Sequence, residues 1–210
     1  MRITAVEKTK KGRFAVFLDG EFAFSADAET VALSHLSQGR ELTRDEYEQA
    51  RTDAQTKYLK ERALHLLSYK SFSKKELTAR LLDYTDEGAG QDIAQAVTDR
   101  LEELGLINDQ DYAERLAKDL YARKGYGERK VLFELMRRGI ERELAEEAAA
   151  ANAPEAEDTL NRIIRRKYAR YLTDPKGVHK TVLALARLGY PYDEIRAAIS
   201  RYTDEDVYDE

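Results

Sequence analysis

The sequence repeats itself at an interval of 50 residues, and this repeat limits the folds that are open to the chain. The matching positions keep their spacing in both copies: Gly127 and Gly177, Leu132 and Val182, Leu135 and Leu185, Gly139 and Gly189, Arg115 and Arg165, Tyr121 and Tyr171. A period of this length is typical of stacked supersecondary units, which bury apolar surface against their neighbours and expose a long face to an extended partner. The repeat therefore predicts a binding protein and not an enzyme.

A third, more diverged copy precedes these two. At an offset of 54 residues, its members fall on apolar positions of the second copy: Leu67 on Tyr121, Leu77 on Val131, and Leu81 on Leu135. Helix-start signals divide the copies into about three helices each: Ser73 with Glu76, then Asn108, then Asp174 followed by Pro175. The pattern predicts three consecutive three-helix modules.

The N-terminal region has a different period. Apolar and polar residues alternate through the first 25 residues, with Phe22 and Phe24 placed like the earlier apolar positions, and Asp19-Gly20 is a strong hairpin signal. This predicts a three-stranded antiparallel meander, followed by a helix over residues 28–35. Thr43 and Glu46 form a capping-box pattern that opens a long helix.

The predicted fold class is mainly α, a tandem repeat of three three-helix modules in an elongated array, preceded by a small antiparallel β meander and linking helices. We expect a monomer. The predicted divisions are residues 1–42 for the meander and short helix, 43–107 for the long helix and first module, 108–153 for the second module, 154–202 for the third, and 203–210 for an acidic tail.

Charge is distributed unevenly along the chain. The net charge is -5, but residues 154–202 carry ten Lys and Arg against six Asp and Glu, whereas residues 203–210 carry five acids and no base. A basic segment beside an acidic end is typical of a polyanion site with a nearby competitor.

The basic residues of the third module form a stripe. At 100° per residue, Leu160, Ile164, Tyr168 and Tyr171 lie on one side of the predicted helix, and the cations Arg162, Arg166 and Arg170 lie opposite, flanked by Arg165 and Lys167. Few acids interleave, so pairs within the helix cannot neutralise the stripe. An ordinary solvated helix face is the alternative.

A second basic cluster recurs at the junction between the first and second helices of each module. Its members are Lys124, Arg129 and Lys130 in the second module, Lys176 and Lys180 in the third, and Lys70, Lys74 and Lys75 in the first. Positive groups at a regular interval suit a phosphate backbone or an acidic protein groove. In the first module, a merely polar loop is an equal alternative.

The sequence offers no recognisable catalytic or metal-binding motif, so we expect no catalytic residue, no metal and no cofactor. It has no cysteine, and its three histidines lack a metal-ligand spacing. Asp109 and Asp111 suit the first turn of a helix as well as a metal. No stretch resembles a signal peptide or a membrane span, and a cytoplasmic protein is expected.

Three segments resemble the RecX family of regulators of the RecA recombinase. They are LHLLSYKSFSKKELTARL, LEELGLINDQDYAERLAKDL and KGYGERKVLFELMRRGI, and the third module adds LARLGYPYDEI. The family elements stand here as Ser73, Glu76 and Leu77, as residues 104–109, and as Gly127, Arg138, Gly139 and Ile140. The resemblance covers residues 57–202, and the N-terminal hairpin is similar to that of longer members.

The resemblance implies a module array that lies in the groove of the RecA filament on single-stranded DNA and inhibits its extension, ATPase and strand exchange. It brings no catalytic residues. Two other functions remain open from the residues alone: a helical scaffold that binds proteins without nucleic acid, and a helix-turn-helix protein that binds DNA directly.

Overall fold

The structure is a computed structural model that describes residues 1–85 and 90–204, with side chains described as far as residue 202. The chain divides into two compact units, residues 1–107 and a second that begins at Asn108. In the described part, the fold is mainly helical with one small antiparallel sheet, as the sequence predicts.

The first unit contains the sheet and four helices. The elements are β1 (Ile3–Lys8), β2 (Phe14–Leu18), β3 (Glu21–Ala26), α1 (Ala28–Leu33), α2 (Arg44–Tyr69), α3 (Lys74–Leu82) and α4 (Gly90–Glu103). The strands pair antiparallel in the order β1-β2-β3, and the left-handed backbone of Asp19 (φ 50°) and Gly20 (φ 94°) closes the predicted hairpin. The described helix α1 ends at Leu33, two residues before the predicted end.

A bulge in β3 changes the face that Phe22 occupies. Val16 pairs with Phe24, but Phe17, the next residue of β2, pairs with Phe22, so Ala23 is an extra residue. Phe24 is buried, whereas Phe22 is 60% exposed. The expectation that Phe22 and Phe24 share a face is therefore wrong, because a period-two pattern does not continue across a bulge.

Helix α2 serves two hydrophobic cores. Its first half packs Ala50 and Ala54 against the sheet, and its second half packs Leu59 and Ala63 against α3 and α4. Thr43 caps this helix in a complete capping box with Glu46, as predicted. One long helix thus joins the meander to the first three-helix module.

The second unit contains six α-helices in its described part. They are α5 (Asp109–Asp119), α6 (Glu128–Arg137), α7 (Arg142–Ala151), α8 (Ala156–Ile163), α9 (Pro175–Arg187) and α10 (Tyr192–Asp204). A π-helical turn over Leu120–Lys124 follows α5, and α8 continues into a π-helical turn over Ile164–Tyr168 and a 3-10 turn over Ala169–Tyr171. One core lies among α5–α7 and another among α8–α10.

The 50-residue repeat describes the second and third helices of these modules well. Leu135 and Leu185 are both fully buried, and Gly139 and Gly189 both adopt positive φ (88° and 98°) directly after their helices. The same burial recurs further along at Ala145 with Ile195, Ala148 with Ala198, and Ala149 with Ile199. The α6–α7 and α9–α10 pairs are therefore structural equivalents.

The repeat fails in the first helix of each module. Tyr121 is buried and donates its hydroxyl to the Ala149 carbonyl at 3.1 Å, whereas Tyr171 is 46% exposed. Buried Tyr112 falls on exposed Arg162 at the same offset. Pairing Tyr121 with Tyr171 and Arg115 with Arg165 is therefore wrong, because the π-helical turns lie at different places in the two modules.

Candidate polyanion-binding surface

The basic residues of the third module extend from a buried apolar stripe into solvent. Leu160 and Ile164 are 1% and 0% exposed and fix the segment to the module core. The five predicted cations of this segment are all exposed: Arg162, Arg165, Arg166, Lys167 and Arg170. Their solvent position agrees with the helical-wheel prediction.

The wheel is wrong at its C-terminal end. An α-helix rotates 100° per residue. The π-helical turn over Ile164–Tyr168 contains more residues than an α-helical turn, so every later side chain points in a different direction from the one the wheel predicts. Leu172, not Tyr171, completes the apolar stripe and is buried. Tyr171 instead lies on the surface, with the guanidinium carbon of Arg170 4.8 Å from its ring centre. An exposed aromatic ring thus joins the basic residues.

Lys176 and Lys180 lie exposed on the first two turns of α9. Asp174 caps this helix through the backbone N–H groups of Lys176 and Gly177. Gly177 packs tightly against the Tyr171 carbonyl, where a Cβ would not fit. The start of α9 therefore lies beside the turn that holds Arg170. We call the seven predicted cations of this module, all of them exposed, the third-module cation set: Arg162, Arg165, Arg166, Lys167, Arg170, Lys176 and Lys180.

Acids do not neutralise this set in the part of the chain that the structure describes. No member of the set has a carboxylate within 4.0 Å there, and the third-module ion pair found is between Arg201 and Glu157. Close cations without counterions repel one another, and that repulsion is relieved when an anion binds. The arrangement therefore favours a polyanionic partner.

The corresponding cluster of the first module differs. Lys74 bridges α3 and α4 by contacting Asp99 at 2.8 Å and Glu102 at 2.5 Å, and these hydrogen bonds raise the pKa of Lys74. Lys70 contacts Glu76 at 3.6 Å. Lys70 and Lys74 of the first module thus form ion pairs within the fold, which supports the alternative that this loop is merely polar.

The second-module turn lies against the third module. The Gly127 N–H donates to the Leu188 carbonyl at 2.8 Å, and the Tyr190 hydroxyl donates to the Gly125 carbonyl at 3.2 Å. A Cβ at Gly125 would lie 3.1 Å from Ile163 of α8. The turn between the exposed side chains of Lys124 and Arg129 therefore packs against the third module.

The three second-module cations are not equally available. Lys130 contacts Glu134 at 3.1 Å and lies 4.6 Å from the ring centre of Phe133. Its charge is therefore partly neutralised by interactions within α6. Arg129 lies near Glu194; burial raises the pKa of Glu194, and the charge of Arg129 opposes that rise. Lys124 has no ion pair in the described ranges. The spacing of Lys130 and Glu134 was the signal for this pairing.

The described residues hold no group of histidine and acidic side chains placed to bind a metal ion. Among the helices of the described ranges, none is long and apolar enough to cross a membrane. What the basic residues offer is electrostatic binding.

Comparison with known proteins identifies the family. Residues 1–43 match the profile of the regulatory protein RecX N-terminal domain, and residues 108–148 match that of the RecX second three-helix domain. The regulatory protein RecX of Mycolicibacterium smegmatis is 33% identical over 134 residues, which cover 60% of this chain and 70% of that protein. This chain belongs to the RecX family.

Other RecX proteins align along nearly the whole chain. The regulatory protein RecX of Caldanaerobacter subterraneus is 27% identical over 201 residues, covering 93% of this chain and 96% of the relative. A crystal structure of regulatory protein RecX covers 94% of this chain and 98% of its own, with a TM-score of 0.67 at 21% identity. A crystal structure of RecX from Lactobacillus salivarius covers 71% of this chain and 97% of its own, with a TM-score of 0.62 at 24% identity. The solved structures share the RecX fold described above.

Proposed function

We propose that this RecX-family chain is a non-enzymatic regulator of the RecA recombinase. In this proposal it binds in the helical groove of the RecA filament on single-stranded DNA and inhibits filament extension, ATP hydrolysis and strand exchange. The observation that carries the proposal is the third-module cation set, seven exposed positive charges without a counterion in the described ranges, in a member of a family of regulatory proteins. We propose that it acts as a monomer in the cytoplasm.

The contact would be electrostatic and distributed. Each cation that neutralises a phosphate releases condensed counterions, so binding weakens steeply as salt rises. Lys124 and Arg129 flank a turn that packs against the third module and add exposed positive charge in the second module, and charge spread over two modules suits a polymeric partner better than a small anion. Many weak contacts of this kind raise avidity without any single strong one.

Exposed apolar residues support contact with protein as well as DNA. Phe133 and Leu183 occupy equivalent positions of α6 and α9 and are 54% and 37% exposed, and Met136 is 44% exposed beside Phe133 on α6. Apolar residues on a basic surface are typical of protein interfaces. A filament made of protein and DNA offers partners for both kinds of side chain. The same residues also suit the alternative, a protein-binding scaffold without nucleic acid.

Direct reading of duplex DNA by a helix-turn-helix is less well supported. The second helix of such a motif enters the major groove. In the second module this position corresponds to α7, which exposes Glu143, Glu146 and Glu147. Its Arg142 pairs with Glu146 at 2.8 Å. An acidic helix is repelled by the phosphates that line the groove.

The experiment that tests the proposal follows DNA-dependent ATP hydrolysis by RecA. Purified chain is added at increasing concentration to RecA filaments formed on single-stranded DNA, and we expect hydrolysis to fall. DNA binding measured without RecA at the same salt concentration is the matched control. Strong DNA binding with unchanged hydrolysis would favour a direct DNA-binding protein, and neither effect would favour the scaffold.

A further inference from the structure

A groove of about 630 Å³ opens in the first unit between the sheet and α2. The sheet contributes Arg13 and Phe22, α2 contributes Tyr58 and Arg62, and Tyr84 follows α3. Its size is in the range of small-ligand sites, roughly 300–1,000 Å³. The third-module cation set has no part in it, because every described lining residue belongs to the first unit.

Positive charge is concentrated in this groove. Its described lining holds Lys11, Arg13, Arg51 and Arg62 against one acid, Glu61. Residues 1–107 as a whole carry 16 Lys and Arg against 19 Asp and Glu. A cationic groove in an acidic unit attracts anions to one place, because the surrounding surface repels them.

Arg13 has hydrogen-bonding capacity that the fold leaves unused. Its Nη2 donates to the Ser25 carbonyl at 2.8 Å, and its Nε donates to the Ser25 hydroxyl at 3.4 Å. Its Nη1 is buried and has no hydrogen-bond partner in the described part of the chain, and the Glu61 carboxylate is 4.0 Å away. A buried donor without an acceptor is costly, and a phosphate oxygen would supply the acceptor.

Planar side chains line the groove next to these charges. The guanidinium carbons of Arg13 and Arg62 lie 4.8 Å and 5.2 Å from the Tyr58 ring centre, and Arg62 also lies 5.3 Å from that of Tyr84. Phe22 stands exposed among the lining residues. Nucleic-acid bases stack on aromatic rings and on guanidinium planes of this kind.

We propose that this groove is a second binding site, for single-stranded nucleic acid, with phosphates at Arg13 and Arg62 and a base stacked on Phe22. An acidic peptide would use the charges but would leave the Phe22 ring exposed to solvent. A nucleotide chain uses both, since a basic groove with stacking rings is how proteins hold single strands without sequence preference. The site goes beyond the proposed function, because it needs no RecA and no third-module residue.

Stacking at the position of Phe22 can be observed directly because the chain contains no tryptophan. In the Phe22→Trp variant, the new indole is the only one, and we expect an oligo-dT of about 15 nucleotides, near the upper end of known site sizes, to quench its fluorescence. Leu33→Trp is the matched control, because Leu33 is 72% exposed in the same unit and does not line the groove. Saturable quenching in the Phe22→Trp variant, with little change in the Leu33→Trp variant, supports the proposal.

Affinity for the same oligo-dT is then compared between two charge variants of α2. Arg62→Gln removes a groove cation, and Lys60→Gln makes the same charge change at an exposed residue of the same helix outside this groove. We expect Arg62→Gln to lower the slope of log affinity against log salt by about 0.7, the value for one phosphate on a single strand. Phe22→Ala should weaken binding roughly tenfold. Far-UV circular dichroism confirms that each variant is folded.

Equal oligo-dT affinity for Arg62→Gln and Lys60→Gln, with no quenching in the Phe22→Trp variant, would overturn the proposal. Poly-glutamate binding that Arg62→Gln weakens, with no quenching of the Phe22→Trp variant by oligo-dT, would also overturn it and assign the groove to an acidic protein. Both results leave the proposed function intact, because RecA ATP hydrolysis is measured separately with variants of the third-module cation set.

Discussion

Gly127 of the second module and Gly189 of the third lie backbone against backbone. A Cβ at Gly127 would lie 2.7 Å from the carbonyl carbon and oxygen of Gly189, closer than side-chain atoms pack. The Gly127 N–H donates to the neighbouring Leu188 carbonyl at 2.8 Å. The second and third modules are thus in contact at two glycines, Gly127 at the start of α6 and Gly189 after the end of α9.

This contact predicts an unusual response to a capping residue. Serine is normally a good helix N-cap, and Gly127 is the N-cap of α6. We nevertheless expect Gly127→Ser to destabilise the chain by about 1–3 kcal/mol, because the added atoms overlap the Gly189 backbone. Urea unfolding measures the change.

The matched control places serine at the N-cap of α7, where Glu141 is exposed and its side chain makes no capping hydrogen bond. Glu141→Ser should stabilise the chain by about 0.5–1 kcal/mol. If both variants are stabilised equally, the close approach of Gly127 and Gly189 is wrong.

Two buried tyrosines predict a loss of stability at high pH. Burial raises the pKa of Tyr121 and of Tyr190 from 10.0 to about 12. The folded state therefore keeps protons that the unfolded state releases above pH 10.0. Their contribution to the free energy of unfolding is complete below that pH and is lost as pH rises toward about 12.

Comparing variants isolates the effect of the two tyrosines from that of other groups that change charge at high pH. We expect the wild type to lose more stability than the double variant Tyr121→Phe, Tyr190→Phe between pH 10 and 12, the window given by the two pKa shifts. Parallel curves for the two proteins in urea unfolding would contradict the prediction.

The environment of Asp27 predicts a loss of stability at low pH. It caps α1 and contacts Lys57 at 2.6 Å. Burial alone would raise its pKa, but hydrogen bonds from Lys57 and Thr30 outweigh burial and hold it well below 3.8. The contribution of the carboxylate is present above the ordinary pKa and is lost as pH falls below it.

The Asp27→Asn variant keeps a good cap and loses the charge. It should be less stable than the wild type at pH 7 by about 1 kcal/mol. The difference should shrink as pH falls below 3.8, where the wild-type carboxylate begins to protonate in the unfolded state. Thermal unfolding at pH 7 and near pH 3 measures it, and a constant difference would show that the Lys57 contact does not contribute.

Local signals in the sequence predicted much of this fold. Thr43, Asn108 and Asp174 cap helices as expected, because a cap depends on residues three positions apart. The bulge that exposes Phe22 could not be predicted, since it depends on pairing with another strand. The groove around Arg13 and Tyr58 was missed for the same reason, because it joins residues far apart in the chain.

The exposure of the candidate site's third-module cations was predicted, and their role in binding stays a prediction. The third-module cations are exposed because Leu160 and Ile164, on the apolar stripe of the same segment, are buried in the module core. The π-helical turn that moves Tyr171 to the surface has no simple sequence signature, and a wheel of 100° per residue carries its error forward from there. The divisions at residues 42, 107, 153 and 202 stay predictions.

Charge reversal in the third-module cation set tests the proposed site. We expect the triple variant Arg162→Glu, Arg166→Glu, Arg170→Glu to keep its helicity, because all three side chains are exposed. Its inhibition of RecA ATP hydrolysis should weaken at least about tenfold, with a smaller salt dependence, because three phosphate contacts are replaced by repulsion.

The matched control reverses three exposed cations of the first unit, Arg2, Arg44 and Lys60, which changes the net charge equally. It should inhibit nearly as well as the wild type. Equal inhibition by the two triple variants would show that the third-module cations belong to an ordinary solvated surface without a binding role.

The acidic end of the chain predicts an intramolecular competitor. The predicted tail, residues 203–210, carries five acids directly after the basic module; residues 205–210 lie outside the described part, and Asp204 ends α10. Tethered acids act at high effective concentration, so they can compete for a cationic surface without high intrinsic affinity. Truncation after Asp204, which leaves α10 complete, should therefore raise affinity for single-stranded DNA, most strongly at low salt where screening is weak.

A full-length variant with Glu205, Asp206, Asp209 and Glu210 changed to their amides separates charge from length, and it should bind as tightly as the truncated chain. If truncation and neutralisation both leave affinity unchanged at low ionic strength, the tail does no more than solvate the end of the chain.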